Sequence, residues 1–168
     1  SDVEWFPTGG VELKTGAWAG LLDLGLSSSF NGSTQTDYRN PSRYASGYVQ
    51  GRLKPGNGWI LTGGVRAEYF RSETDDLLDD DPSVPASYVR VSPQVQVEKT
   101  MGENLVLQAA AGRYHQFLSL ITNEAFSGFD TWVTTGVGVP PQESDQLVLG
   151  VKTNLGPAYR LDVEVYGR

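Results

Sequence analysis

Cysteine is missing from the 168 residues, so no disulfide staples the fold, and thiol chemistry and cysteine-based metal sites are excluded. Histidine occurs once, at His115, which leaves little for a metal centre or a general base. Cations are few: 13 Lys and Arg stand against 20 Asp and Glu, and the formal net charge of -7 argues against a nucleic-acid partner, which needs a basic surface. No apolar run approaches the roughly 20 residues of a membrane-spanning helix. What is abundant is turn chemistry, with 20 glycines and 9 prolines, and aromatic residues at 11%. That mixture fits an all-β chain.

Period-two alternation fills the sequence. Leu105, Leu107, Ala109 and Ala111 fall on one face and Val106, Gln108, Ala110 and Gly112 on the other. Leu147, Leu149 and Val151 oppose Gln146, Val148, Gly150 and Lys152 in the same way. Successive side chains of a strand point to opposite sides, so each run predicts a strand. The same pattern runs from Val11 to Leu21, Ala45 to Lys54, Trp59 to Tyr69, Tyr88 to Glu98 and Tyr159 to Tyr166, with a shorter piece at Val3 to Phe6. Short turns at 7–10, 55–58, 100–104 and 154–158 alternate with long connections at 27–42, 72–87 and 118–142, all expected to be loop. Strict alternation puts the short turns at one end of the sheet and the long connections at the other, as in transmembrane barrels. Each strand reaches the roughly 9–11 residues that cross a bilayer at a tilt.

The two faces differ in chemistry. One is aliphatic and light, with Gly47, Gly51, Gly63, Ala17, Ala19, Ala67, Ala109 and Ala111; the other carries Arg, Glu, Lys, Gln and Asp. A lipocalin-like or sandwich domain turns the aliphatic face inward, and an outer-membrane barrel turns it out to lipid. Trp59 and Tyr159, directly after short turns on the aliphatic face, sit where an interfacial aromatic girdle would. The expected fold is therefore all-β, an antiparallel up-and-down meander of about seven to eight strands forming an arc of a large transmembrane β-barrel. The odd strand count and the last strand's abrupt end give the expectation of a chain cut from a longer meander.

The segment GRYHQFLSLITNEAF, then VPPQESDQLVLGV and NLGPAYRLDVEVY, resembles the barrel of TonB-dependent outer-membrane receptors. In the descending segment Pro141, Ser144 and Gly150 keep the family's spacing, while Gln142 and Val148 stand where it has glutamates. YVQGRLKPGNGWILTGGVRAEYF and YVRVSPQVQVEKT are similar to receptor hairpins, including Ser92-Pro93 inside a strand. The resemblance implies a barrel of about 22 strands around a plug. It implies outer-membrane import of a siderophore, cobalamin or oligosaccharide-type ligand, energised by TonB through a plug that residues 1–168, a partial barrel domain, do not contain. The partners implied are the lipid bilayer, the TonB system and a small-molecule or oligomeric ligand, with no cofactor and no enzymatic activity. The rival readings are a soluble β-barrel or sandwich that binds a ligand, and a small complete outer-membrane barrel.

Candidate site residues follow from chemistry. Phe126, Phe129 and Trp132 place three aromatics in the longest connection, where they stack on a ligand or pack the loop onto its neighbours. Asp75, Asp79 and Asp81, within a run that also holds Asp76 and Asp80, are weak candidates for calcium, without the spacing or the central glycine of an EF-hand. His115 has Ser119 as its nearest candidate partner for nucleophilic chemistry, and no motif supports that pairing. Arg52, Arg66, Arg90 and Arg160 on the polar face are expected to pair with Glu68, Glu98, Asp162 and Glu164 rather than to line a solute path.

Overall fold

The computed structural model describes residues 1–30, 33–73, 85–122, 130–136, 139–156 and 158–168. They form ten strands: β1 (Asp2–Thr8), β2 (Val11–Phe30), β3 (Ser33–Gly56), β4 (Trp59–Ser72), β5 (Ser87–Met101), β6 (Leu105–Gln116), β7 (Leu118–Thr122), β8 (Asp130–Thr134), β9 (Gln142–Asn154) and β10 (Arg160–Gly167). Eight of them make one antiparallel sheet in the order β1-β2-β3-β4-β5-β6-β9-β10, and β7 and β8 form a separate two-stranded hairpin. The meander expected from the alternation is what forms, and its eighth strand is the short piece at the N-terminal end. The sheet is open: among the described residues no ladder joins β1 to β10, so the small complete barrel is not the architecture observed.

The short turns form where their residues permit. Gly56, Asn57 and Gly58 adopt φ of 98°, 51° and 76°, left-handed values that glycine and asparagine tolerate best. Gly58 is also fixed by space, because a Cβ there would lie 2.5 Å from the Thr100 carbonyl oxygen.

The expected loop at 27–42 is a correction. β2 and β3 continue through it, reaching 20 and 24 residues, with unbroken register from Val11↔Leu53 to Ser28↔Thr36. Ladder hydrogen bonds join backbones and need no apolar side chains. A polar, turn-rich stretch therefore extends a hairpin wherever its residues accept extended φ and ψ. The connection at 118–142 likewise contains the β7–β8 pair. Of the connection at 72–87, residues 74–84 lie outside the described residues.

Register sorts the faces. Val11, Leu53, Leu61, Val97, Ala109, Leu149 and Val165 form one row across the sheet, and Leu13, Gly51, Gly63, Val95, Ala111 and Leu147 form the next. This aliphatic face is uncovered: Val49, Val91, Val95, Leu147, Leu149 and Val163 are each about half exposed. A soluble sandwich or lipocalin-like domain would bury it, since removing apolar area from water is its main source of stability. The buried side chains lie elsewhere. Phe70, Ser72, Ser42, Glu68 and Ser92 belong to the polar face toward the long-connection end, and Phe117, Ser119, Thr134 and Thr135 lie in or beside the β7–β8 unit. Among the described residues the chain packs a small core where the hairpin folds over the polar face.

Pro93 fits this plan. It pairs with Val65 on β4, whereas the β5–β6 ladder ends at Gln94↔Gly112. Pro93 therefore occupies a position that is an edge on one side, where proline is tolerated.

Candidate functional site

The site is built at the place where β5 and β6 part. The β6–β9 ladder continues to Gln116↔Gln142 after β5 has been left behind, and side chains bridge the gap. Phe117, the residue following β6, stacks on Phe70 with ring centroids 5.2 Å apart and planes 11° from parallel. It meets Tyr44 edge-on at 5.9 Å, and Tyr44 in turn lies 5.2 Å from Trp18. Such pairs add to the burial of their rings. The hairpin hangs from this anchor: the Thr135 backbone N–H and hydroxyl donate to the Phe117 carbonyl at 2.9 and 3.1 Å. The Tyr88 hydroxyl donates to the Gly136 carbonyl at 2.7 Å.

Beneath the aromatics runs a chain of polar contacts across five strands. The Glu68 carboxylate accepts from the Tyr44 hydroxyl, has Arg66 Nε at 3.2 Å, and has Ser92 Oγ 3.3 Å from its other oxygen. Ser92 Oγ is also 3.0 Å from His115 Nδ1, and His115 Nε2 is 3.0 Å from Glu143 Oε2. Arg113 closes the chain on β9 with a two-pronged contact to Asp145, both bonds 2.7 Å, and a further oxygen of Glu143 at 3.2 Å. Charge-assisted, forked pairs of this kind fix orientation as well as energy. The serine, histidine and glutamate stand in an order that nucleophilic enzymes use. Here, however, Ser92 is 7% exposed and sits between Glu68 and His115, so the set fastens strands and presents no nucleophile to solvent.

Several expectations change. His115 pairs with Ser92 and Glu143, not with Ser119, because Ser119 is carried away on β7 and buried there. Arg66 finds Glu68 as expected. Asp162 and Glu164 instead face Lys152, at 3.8 and 3.9 Å, because β9 and β10 are direct neighbours. Arg90 lies over the Tyr88 ring and donates to the Val89 carbonyl, and the Nε of Arg52 is buried without a hydrogen-bond partner among the described residues. Trp132 lies on β8 and is 51% exposed. Phe126 and Phe129, and the calcium candidates Asp75, Asp79 and Asp81, lie outside the described residues. The residues that sequence reasoning missed are Tyr44, Phe70, Ser92, Phe117 and Glu143. Their only linear signal is the His115-Gln116-Phe117 run at a strand end.

At the short-turn end, Trp59 on the aliphatic face carries the Lys99 ammonium 4.8 Å from its ring centroid, and Tyr159 is 75% exposed. An aromatic ring with a long cationic side chain laid over it is the arrangement expected at a membrane–water boundary.

Compared with known families, the chain matches the model for the TonB dependent receptor-like β-barrel over residues 4–167. No curated protein matches it.

Proposed function

The chain belongs to the TonB-dependent receptor family, as part of its β-barrel, and from that premise we propose that residues 1–168 are a partial barrel domain of an importer in the outer membrane of a Gram-negative bacterium. The aliphatic face meets lipid and the polar face lines the lumen. The observation that carries this reading is the uncovered aliphatic face, continuous in register from β2 to β10, opposite a face rich in charge and carboxamide. The short turns face the periplasm and the long connections the cell exterior. The 20-residue β2 is about twice the length that crosses a bilayer, so the β2–β3 hairpin stands well clear of the membrane on the outside.

Transport is the family's activity, and import of a siderophore, cobalamin or oligosaccharide-type ligand is the proposed role of the whole receptor. The plug that carries the TonB contact belongs to another part of that receptor. Trp132 on the β7–β8 hairpin, with Phe126 and Phe129 from the same connection, is the proposed outer ligand contact. The aromatic anchor at Phe117 sets where that hairpin sits over the lumen. The reading is tested by fractionating the source cell and comparing ligand uptake with and without TonB. Outer-membrane recovery and TonB-dependent uptake support it; recovery in the soluble fraction rejects it.

A further inference from the structure

Resting on the receptor reading, we propose that the lumen wall below the β7–β8 hairpin holds a binding site for a neutral, hydroxyl-rich ligand of the carbohydrate class. Register places Gln50, Gly64, Gln94, Gly112 and Gln146 in one row across β3, β4, β5, β6 and β9. Carboxamides thus recur on every second strand, about 10 Å apart, with a glycine gap between each pair. The next row adds Thr62 and Gln96. Tyr114 stands at the centre of this wall: it borders three adjoining cavities of about 130, 270 and 280 Å³. A Cβ on Gly112 would lie 3.0 Å from the Tyr114 hydroxyl and 3.2 Å from its ring, so the missing side chain is what lets the ring settle against the wall. The ring is still 46% exposed.

The chemistry selects the ligand. A carboxamide both donates and accepts, which matches hydroxyl groups that do the same. An open aromatic ring accepts the apolar face of a sugar. Among the described residues no ion pair or side-chain hydrogen bond occupies Gln50, Gln94, Gln96 or Gln146. Two neighbouring arginines are committed, Arg66 to Glu68 and Arg113 to Asp145 and Glu143, and Arg168 donates to the Ser144 hydroxyl. Arg52, one row nearer the short turns and beside Thr62, stands opposite Glu12 in register, and its Nε has no hydrogen-bond partner among the described residues. Within the carboxamide row itself an anionic chelate would find one cation, Lys14, and that is paired with Glu4.

The test uses the full-length receptor in detergent against an array of neutral gluco-, manno-, xylo- and galacto-oligosaccharides, uronic-acid oligosaccharides and ferric siderophores. Binding of a neutral oligosaccharide is expected. It should weaken about tenfold or more in Tyr114→Ala and in the double variant Gln94→Ala/Gln146→Ala, which remove one stacking contact or two hydrogen bonds. Tyr114→Phe keeps the ring and should stay within about threefold of the parent, which separates loss of the platform from loss of fold. Binding only of anionic or ferric ligands overturns the proposal while leaving the receptor reading intact, as does the absence of neutral-sugar binding. Unchanged affinity in the variants, with a more readily released plug, overturns it too and assigns the wall to plug packing. Failure of TonB-dependent uptake of every ligand would instead reject the receptor reading itself.

Discussion

Replacing Phe117 with alanine should free the β7–β8 hairpin while leaving the barrel wall in place. Phe117 is 7% exposed and stacks on Phe70, which is fully buried. Truncating a buried phenylalanine costs about 3–5 kcal/mol. Phe117 closes only one side of its pocket, at the margin of the sheet, and the lower figure applies. The Thr135 N–H that donates to the Phe117 carbonyl reports on this contact directly. A loss of about 3 kcal/mol in local opening free energy corresponds to roughly hundredfold faster exchange. The assay is hydrogen–deuterium exchange of the full-length receptor in detergent, read on peptides covering 117–122 and 130–136. Peptides from β4 and β9 are the internal reference. Phe117→Leu, which keeps most of the burial and loses the stacking, should fall between, at about 1 kcal/mol or roughly fivefold. Unchanged exchange in the hairpin would refute the anchoring role. Equal acceleration in every strand would refute the idea that the anchor is local.

Three further outcomes follow from the same geometry. Leu149→Arg, on the aliphatic face, should lower refolding stability in vesicles by about 2–4 kcal/mol, whereas Val148→Arg, its neighbour on the polar face, should lie within about 1 kcal/mol of the parent. Ser92→Ala should destabilise by about 1 kcal/mol, and its effect should shrink in a Glu68→Gln background if the two groups act as one chain, as read from denaturant midpoints of the double-mutant cycle. Gly58→Ala should cost more than Gly102→Ala in the same assay: both glycines have positive φ, which costs about 1–2 kcal/mol for an L-residue, but only at Gly58 would the new Cβ press on the Thr100 carbonyl.

Much of the wall was legible in the sequence because its physics is local. A period of two in Leu105 to Gly112, and Gly-Asn-Gly after Pro55, specify strand and turn without reference to anything distant. Alternation is silent on which face is buried. The exposure of Val95 and Leu149, opposite the buried Glu68 and Ser92, resolves it. The extension of β2 and β3 through polar residues escaped notice because backbone pairing does not depend on side-chain polarity. The site was the least legible part. Phe70 and Phe117 are 47 positions apart by their numbers, and Ser92 and His115 meet only after β5 and β6 separate. Contacts set by where two strands part leave no periodic trace.

The central claim is directly measurable by site-specific labelling, and residues 1–168 contribute no cysteine of their own. Single cysteines at Leu149 and at Val148, labelled with the same fluorophore in the full-length receptor and reconstituted into vesicles of brominated lipid, report which face touches the bilayer. Strong quenching at 149 and little at 148 is the expected result; equal quenching at both, or protection of 149, would contradict a lipid-facing aliphatic wall.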